Sequence, residues 1–211
     1  MQRNCCNTSM TSPSTEAPKN LKQLVQLARR LGTADAAIIR ADAITVEDQL
    51  AELCREPRCE NYALSAGCPP HVAGPAAFRQ RLKDFQWAMV IKFDVPADAL
   101  FSEERSQIFQ LLHETAAEIE RCAARMGYTR ARAYAGGACK KLFCRDHADC
   151  REMRKPGGCR NPHRARESMS GFGINVTRLM EAAGWSMKRA ASGNAARTNE
   201  MATVCGLILI G

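Results

Sequence analysis

Seven cysteines occupy two stretches of the chain at repeated spacings. The longer stretch, ACKKLFCRDHADCREMRKPGGCRNP, carries Cys139, Cys144, Cys150 and Cys159. The shorter, LCREPRCENYALSAGCPPHV, carries Cys54, Cys59 and Cys68. A C-x4-C gap and a C-x8-C gap occur in each. Neither stretch has an apolar period that would pack it as a regular helix or strand, and Gly and Pro interrupt both. Such a peptide needs an outside organiser. Thiolates gathered on a loop supply one by enclosing a zinc ion or an iron–sulfur cluster. Disulfides and separately buried thiols are the competing readings. No charged-then-apolar export signal opens the chain, so clustered cysteines in a reducing compartment favour metal.

Between the two metals, the spacing favours iron–sulfur. Zinc loops use paired knuckles with two to four residues between ligands, whereas the later gaps here hold five and eight. A zinc-stabilised binding module is therefore the alternative. Cys68 is followed by Pro69 and Pro70, and a proline after a ligand also occurs in bacterial ferredoxin loops. Counted loop by loop, Cys139, Cys144, Cys150 and Cys159 make a closed four-thiolate cluster suited to electron transfer. Cys54, Cys59 and Cys68 make a three-thiolate cluster with an iron open to water, substrate or another ligand. Two [4Fe-4S] clusters are the expected cofactors. The alternative is an interleaved division, in which a cysteine of one loop ligates the other cluster, as in two-cluster ferredoxins. His71 is near Cys68 and is a candidate fourth ligand, set against a plain surface role. His147 and His163 flank cysteines of the second loop and are expected to support the ligands from outside the site or to lie on the surface. Cys5 and Cys6 are expected as free thiols in a tail, and Cys122 and Cys205 as packed apolar residues.

Composition limits the partners. The formal charge of +8 counts cysteines as neutral. Seven thiolates against two oxidised cores of about +2 each lower the net charge by about three. The arginines around the second loop (Arg145, Arg151, Arg154, Arg160, Arg164 and Arg166) then balance anionic clusters, or offer a docking patch for an acidic electron-carrier protein. Aromatics at 6% give little means of stacking on bases, so nucleic acid is not supported. No apolar run approaches a membrane span, and the expectation is a soluble, cytoplasmic protein. No Ser/His/Asp triad, P-loop or HExxH pattern is present, and Gly171-Phe172-Gly173 lacks the full dinucleotide fingerprint. No reaction is assigned.

The elements that must carry the loops follow from periodicity. Residues 1–19 read as a disordered tail and 20–211 as one metal-binding domain, with cysteine loops at 54–71 and 137–166. Asn20 is expected to cap a helix bearing Leu21, Leu24, Val25, Ala28 and Leu31. AAIIRA (36–41) reads as a strand, and ITVEDQLAEL leads to the first loop as a strand or short helix. A helix with Pro75 in its first turn spans 74–85. WAMVIKFDV (87–95) is a central strand. Ser102 opens the longest helix, with Ile108, Leu111, Leu112, Ile119, Cys122 and Met126 on one face and Gly127 at its end. Residues 129–137 form a strand that delivers Cys139. A helix over 174–183, a polar loop over 191–200 and a closing strand TVCGLILIG complete the order. The fold class is α/β or α+β, with about four strands in a mixed sheet and helices packed on it.

The chain resembles a family of predicted metal-binding proteins, domain-of-unknown-function family 2284. The matching residues are Cys54, Cys59, Asn61-Tyr62 and Cys68-Pro69-Pro70, then Gly137-Ala138-Cys139, Cys144, Cys150, Cys159 and Pro162. Ala165-Arg166, Ser168-Met169, Gly173-Ile174 and Val176 complete the pattern, which covers most of the chain after about residue 20. The resemblance implies a metal site, of iron–sulfur type, at these cysteines. Two positions depart from it. The family has proline after the arginine matching Arg166, where Glu167 stands here. It has an acidic residue before the valine matching Val176, where Asn175 stands here.

Overall fold

Two ten-residue strands are apolar on both faces because helices cover both. They are β2 (Trp87–Pro96) and β5 (Met201–Ile210), paired antiparallel from Trp87 opposite Ile210 to Pro96 opposite Met201. The computed structural model describes residues 17–18, 20–154, 157–186 and 200–211. Nearly all of the expected tail, with Cys5 and Cys6, lies outside these residues. So do Lys155, Pro156 and all but the last residue of the expected polar loop at 191–200.

Strand β1 (Asp35–Arg40) pairs antiparallel with β2, and β3 (Arg132–Ala135) antiparallel with β5. A fifth strand, β4 (Glu167–Ser168), runs parallel to β3, giving the order β1-β2-β5-β3-β4. The sheet is mixed, as expected, with one strand more than the four read from the sequence. Two residues have no pattern of their own. β4 is defined only by what it pairs with.

One face of the sheet is covered by α1 (Leu21–Arg30) and α4 (Glu104–Arg125). Leu21, Leu24, Leu112, Ala116 and Ile119 pack there on Met89, Ile91 and Ile208. The other face is covered by α3 (Gly74–Leu82), α6 (Val176–Ala182) and the turn at 169–172. There Phe78, Tyr134 and Phe172 meet ring to ring, the closest centroids 5.1 Å apart. Burying side chains of this size contributes about 2 kcal/mol each. Alternate residues of β5 serve the two faces, Ile208 and Ile210 one, Leu207 and Leu209 the other. Cys205 is buried in the second cluster and Cys122 is half-buried against the first, both as packing residues.

Two local expectations change, and a third is met. Asn20 does not cap α1, because its side-chain oxygen accepts the Tyr128 hydroxyl at 2.8 Å. Leu111 is exposed. The inner face of α4 is carried instead by Leu112, His113, Ala116, Ile119 and Ala123. The segment before the first loop divides between a single bridge from Val46 to Ile174 and a short helix, α2 (Asp48–Glu52). Pro75 stands in the first turn of α3, and Gly127 ends α4 with φ of 100°. Among the described residues no helix is long and apolar enough to cross a membrane.

Candidate metal centre

The two cysteine loops meet at the β3–β4 edge of the sheet. Strand β3 runs out through Gly136 and Gly137, which lie so close to the Phe109 ring that a Cβ at either would come within 3.0 or 3.1 Å of it. The chain then enters α5 (Cys139–Phe143), which opens on the first cysteine of the second loop. Strand β4 carries the chain back after Cys159. The Ser168 N–H donates to Gly67 O at 2.9 Å, which docks the first loop on β4. Cys139 Sγ lies 3.8 Å from Ser65 Oγ, and Cys68 also hydrogen-bonds Ser65. A methyl on Gly67 would lie 3.3 Å from Cys139 Sγ. Lys141 adds an ion pair to Glu60 at 2.6 Å.

The second loop is held largely by its own side chains. Lys140 Nζ donates to the carbonyls of Cys144 and His147 at 2.8 and 2.5 Å. Arg151 donates to Gly158 O and Cys159 O, and Arg160 to Asp149 O. Gly157 passes the Arg151 carbonyl so closely that a Cβ would sit 1.9 Å from its oxygen, so only glycine fits. Asn161 grips two cysteines at once. Its backbone N–H donates to Cys159 Sγ at 3.3 Å, and its amide donates to Cys144 Sγ and Phe143 O, both at 3.2 Å.

Both ends of this loop are tied to α4. His113 is fully buried, with Nε2 3.0 Å from Gly136 O and Nδ1 accepting the Arg166 N–H at 3.1 Å. Those partners require a neutral ring with its proton on Nε2. Burial lowers its pKa to about 4. Glu120 takes a two-pronged contact from Arg166 at 3.1 and 2.7 Å and the Ala133 N–H at 2.5 Å. Glu167 pairs with Arg132 at 2.8 Å. Asn175 caps α6 by accepting the Arg178 N–H at 3.0 Å and donates to Glu47 at 2.6 Å.

All seven expected cysteines are free thiols. Burial pushes Cys139 up to about 12 and raises Cys54, Cys68 and Cys159 above the ordinary thiol value. Cys68 is raised further by Cys59, Cys54 and Cys150. Cys139 is raised by Cys68, Cys159 and Cys150, and Cys159 by Cys144 and Cys150. Thiols raised in this way ionise together only when a cation neutralises them. His71, His147 and His163 are exposed. His147 and His163 use their carbonyls to accept Lys140 and Arg121, and the His71 backbone N–H reaches Cys68 O. Cys5 and Cys6 lie outside the described residues.

Among the described residues, no three His, Cys, Asp or Glu side chains converge on a single ion position. The donor set itself suits a soft metal: seven thiols, with amide donors aimed at two of them. Asn61 adds a further sign. Its Nδ2 is 4.0 Å from Cys59 Sγ, and its Oδ1 is buried without a partner. A cavity of about 430 Å³ borders Cys139, Cys150 and Cys159 and reaches Arg132, Glu152 and Glu167. The spacing argument found the thiols and missed His113, Ser65 and Asn161. A signal for Asn161 was present: Cys59-Glu60-Asn61 and Cys159-Arg160-Asn161 share the pattern C-x-N.

A mixed sheet with two cysteine loops sharing one edge defines a cysteine-rich metal-binding protein of the α/β kind. The chain belongs to the domain-of-unknown-function family 2284, described as predicted metal-binding protein, whose model matches residues 37–210. No curated protein and no solved structure matches it.

Proposed function

We propose that the seven thiols hold two iron–sulfur clusters of the four-iron type, and that the protein passes electrons or serves an enzyme that uses them. The observation that carries this reading is the docking of two loops, which between them bear seven free thiols, on each other beside one sheet edge, with N–H groups donating to Cys144 and Cys159. Bound four-iron clusters exchange single electrons, at potentials set by burial and by hydrogen bonds to sulfur. The chain's part is to hold the thiolates, supply those hydrogen bonds and limit solvent. Seven thiolates make one closed site of four and one site of three with an iron left open to an outside ligand.

An acidic electron-carrier protein is the partner this reading calls for. The net charge of +8 and the exposed Arg145, Arg151 and Arg154 beside the thiols support it. Free thiols in this number fit a reducing compartment, the cytoplasm. Protein purified without oxygen should be brown, absorb near ~400 nm and release acid-labile sulfide. Colourless protein with stoichiometric zinc and no sulfide would replace this reading with a zinc-stabilised binding module.

A further inference from the structure

We infer that Cys139 ligates the metal site of the first loop, so that the closed site is Cys54, Cys59, Cys68 and Cys139. The three-thiolate site is then Cys144, Cys150 and Cys159. The inference rests on metal at the seven cysteines and not on iron in particular. It reverses the division that counting loop by loop gives.

Cys139 belongs to the second loop in sequence and to the first in space. It is delivered by β3, ahead of the loop's own lacing, and its sulfur packs against Ser65 and Gly67. Ser65 is almost fully buried; its hydroxyl meets Cys139 Sγ, and its carbonyl accepts the Cys68 N–H at 3.1 Å. Cys144 and Cys159, by contrast, are held as a pair by one residue, Asn161. Cys150 lies between Asp149, whose carbonyl accepts from Arg160, and Arg151, which donates to the carbonyls of Gly158 and Cys159. It stands within the laced loop, so it falls to the second site.

Cys150 and Cys159 of the open site line the cavity of about 430 Å³ together with Arg132 and Glu152, and Cys139 of the closed site borders it too. An outside ligand for the open site has room there.

Thiol protection tests the division whichever metal is bound. Cys54→Ala and Cys144→Ala proteins, prepared without oxygen and carrying their native metal, are treated with iodoacetamide, and each cysteine is read by mass spectrometry. Metal-free wild type supplies the unprotected rate of each thiol. In Cys54→Ala, Cys59, Cys68 and Cys139 should lose protection while Cys144, Cys150 and Cys159 keep it. In Cys144→Ala, Cys150 and Cys159 should lose protection while Cys139 keeps it. Should one variant fail to fold, the other reads the same division. Protection of Cys139 that follows Cys144 overturns the inference, as does Cys150 taking the place of Cys139. Zinc without sulfide would end the cluster reading and leave this pattern readable. Seven unprotected thiols in the wild type as isolated would overturn both.

Discussion

The two cysteine loops are built on opposite plans. The second bonds to itself: Lys140, Arg151, Arg160 and Asn161 all donate to carbonyls or sulfurs of their own loop. The first has backbone turns of its own, such as Cys59 N–H to Cys54 O and Ala63 N–H to Pro69 O, but it is tied down from outside, by Ser168 at Gly67, by Lys141 at Glu60 and by Cys139 at Ser65. The amide that should match Asn161, Asn61, reaches its sulfur only at 4.0 Å and leaves its oxygen unpaired in a buried position. A buried polar atom without a partner costs about 1–3 kcal/mol. The difference teaches that a basic loop can be organised before metal arrives. A loop without such donors depends on its neighbour and on the metal. It also gives the arginines a use besides docking, since they neutralise and tie the loop that carries four of the thiols.

The largest effect expected is on metal itself. Cys144→Ala or Cys150→Ala should abolish one site and loosen the 137–166 segment, seen as loss of bound metal and faster hydrogen exchange there. Cys5→Ala and Cys6→Ala should change neither. Equal metal loss from the tail variants would break the assignment of the seven ligands.

The next effect separates the anchor from the loops. His113 is neutral in the folded protein down to about pH 4, whereas an unfolded histidine takes up its proton near 6.5. Its folded pKa is the lower one, so stability is full above 6.5 and falls as pH drops from 6.5 to 4. The loss is about 3 kcal/mol over that window. Denaturant melts at several pH values should show a flatter profile for His113→Gln than for the wild type. The thiols contribute equally to both proteins, so the difference reports the ring. Parallel profiles would mean that the ring is charged or solvated in the fold.

The sheet's centre was legible in the sequence, and its edge was not. β2 and β5 announce themselves as apolar runs because both of their faces are covered. β4 has two residues, and its reason to be a strand lies in β3 and Gly67, which are distant in sequence. The seven thiols stood out by spacing, but their meeting depends on that same short strand. His113 was hidden for a different reason. It lies in a helix among Glu and Thr and looks like a surface residue until Gly136 and Arg166 close on its two nitrogens. Asn20 looked like a cap, and Tyr128 took its oxygen.

A smaller effect sharpens the contrast between the loops. Asn161→Ala removes two donated bonds, one of them to a thiolate when metal is bound. It should cost about 1–2 kcal/mol in stability and speed metal loss to a chelator. Asn61→Ala removes only a long contact and should change the rate of loss less. A reversed order would mean that the first loop, when loaded, draws Asn61 into full contact with Cys59.

Iron-57 Mössbauer spectroscopy of protein prepared without oxygen tests the central claim most directly. The account predicts about eight irons per chain in four-iron clusters, about seven of them in tetrahedral all-sulfur sites and one carrying three sulfides and an outside ligand. Iron bound only by oxygen and nitrogen, or zinc in place of iron, would contradict it.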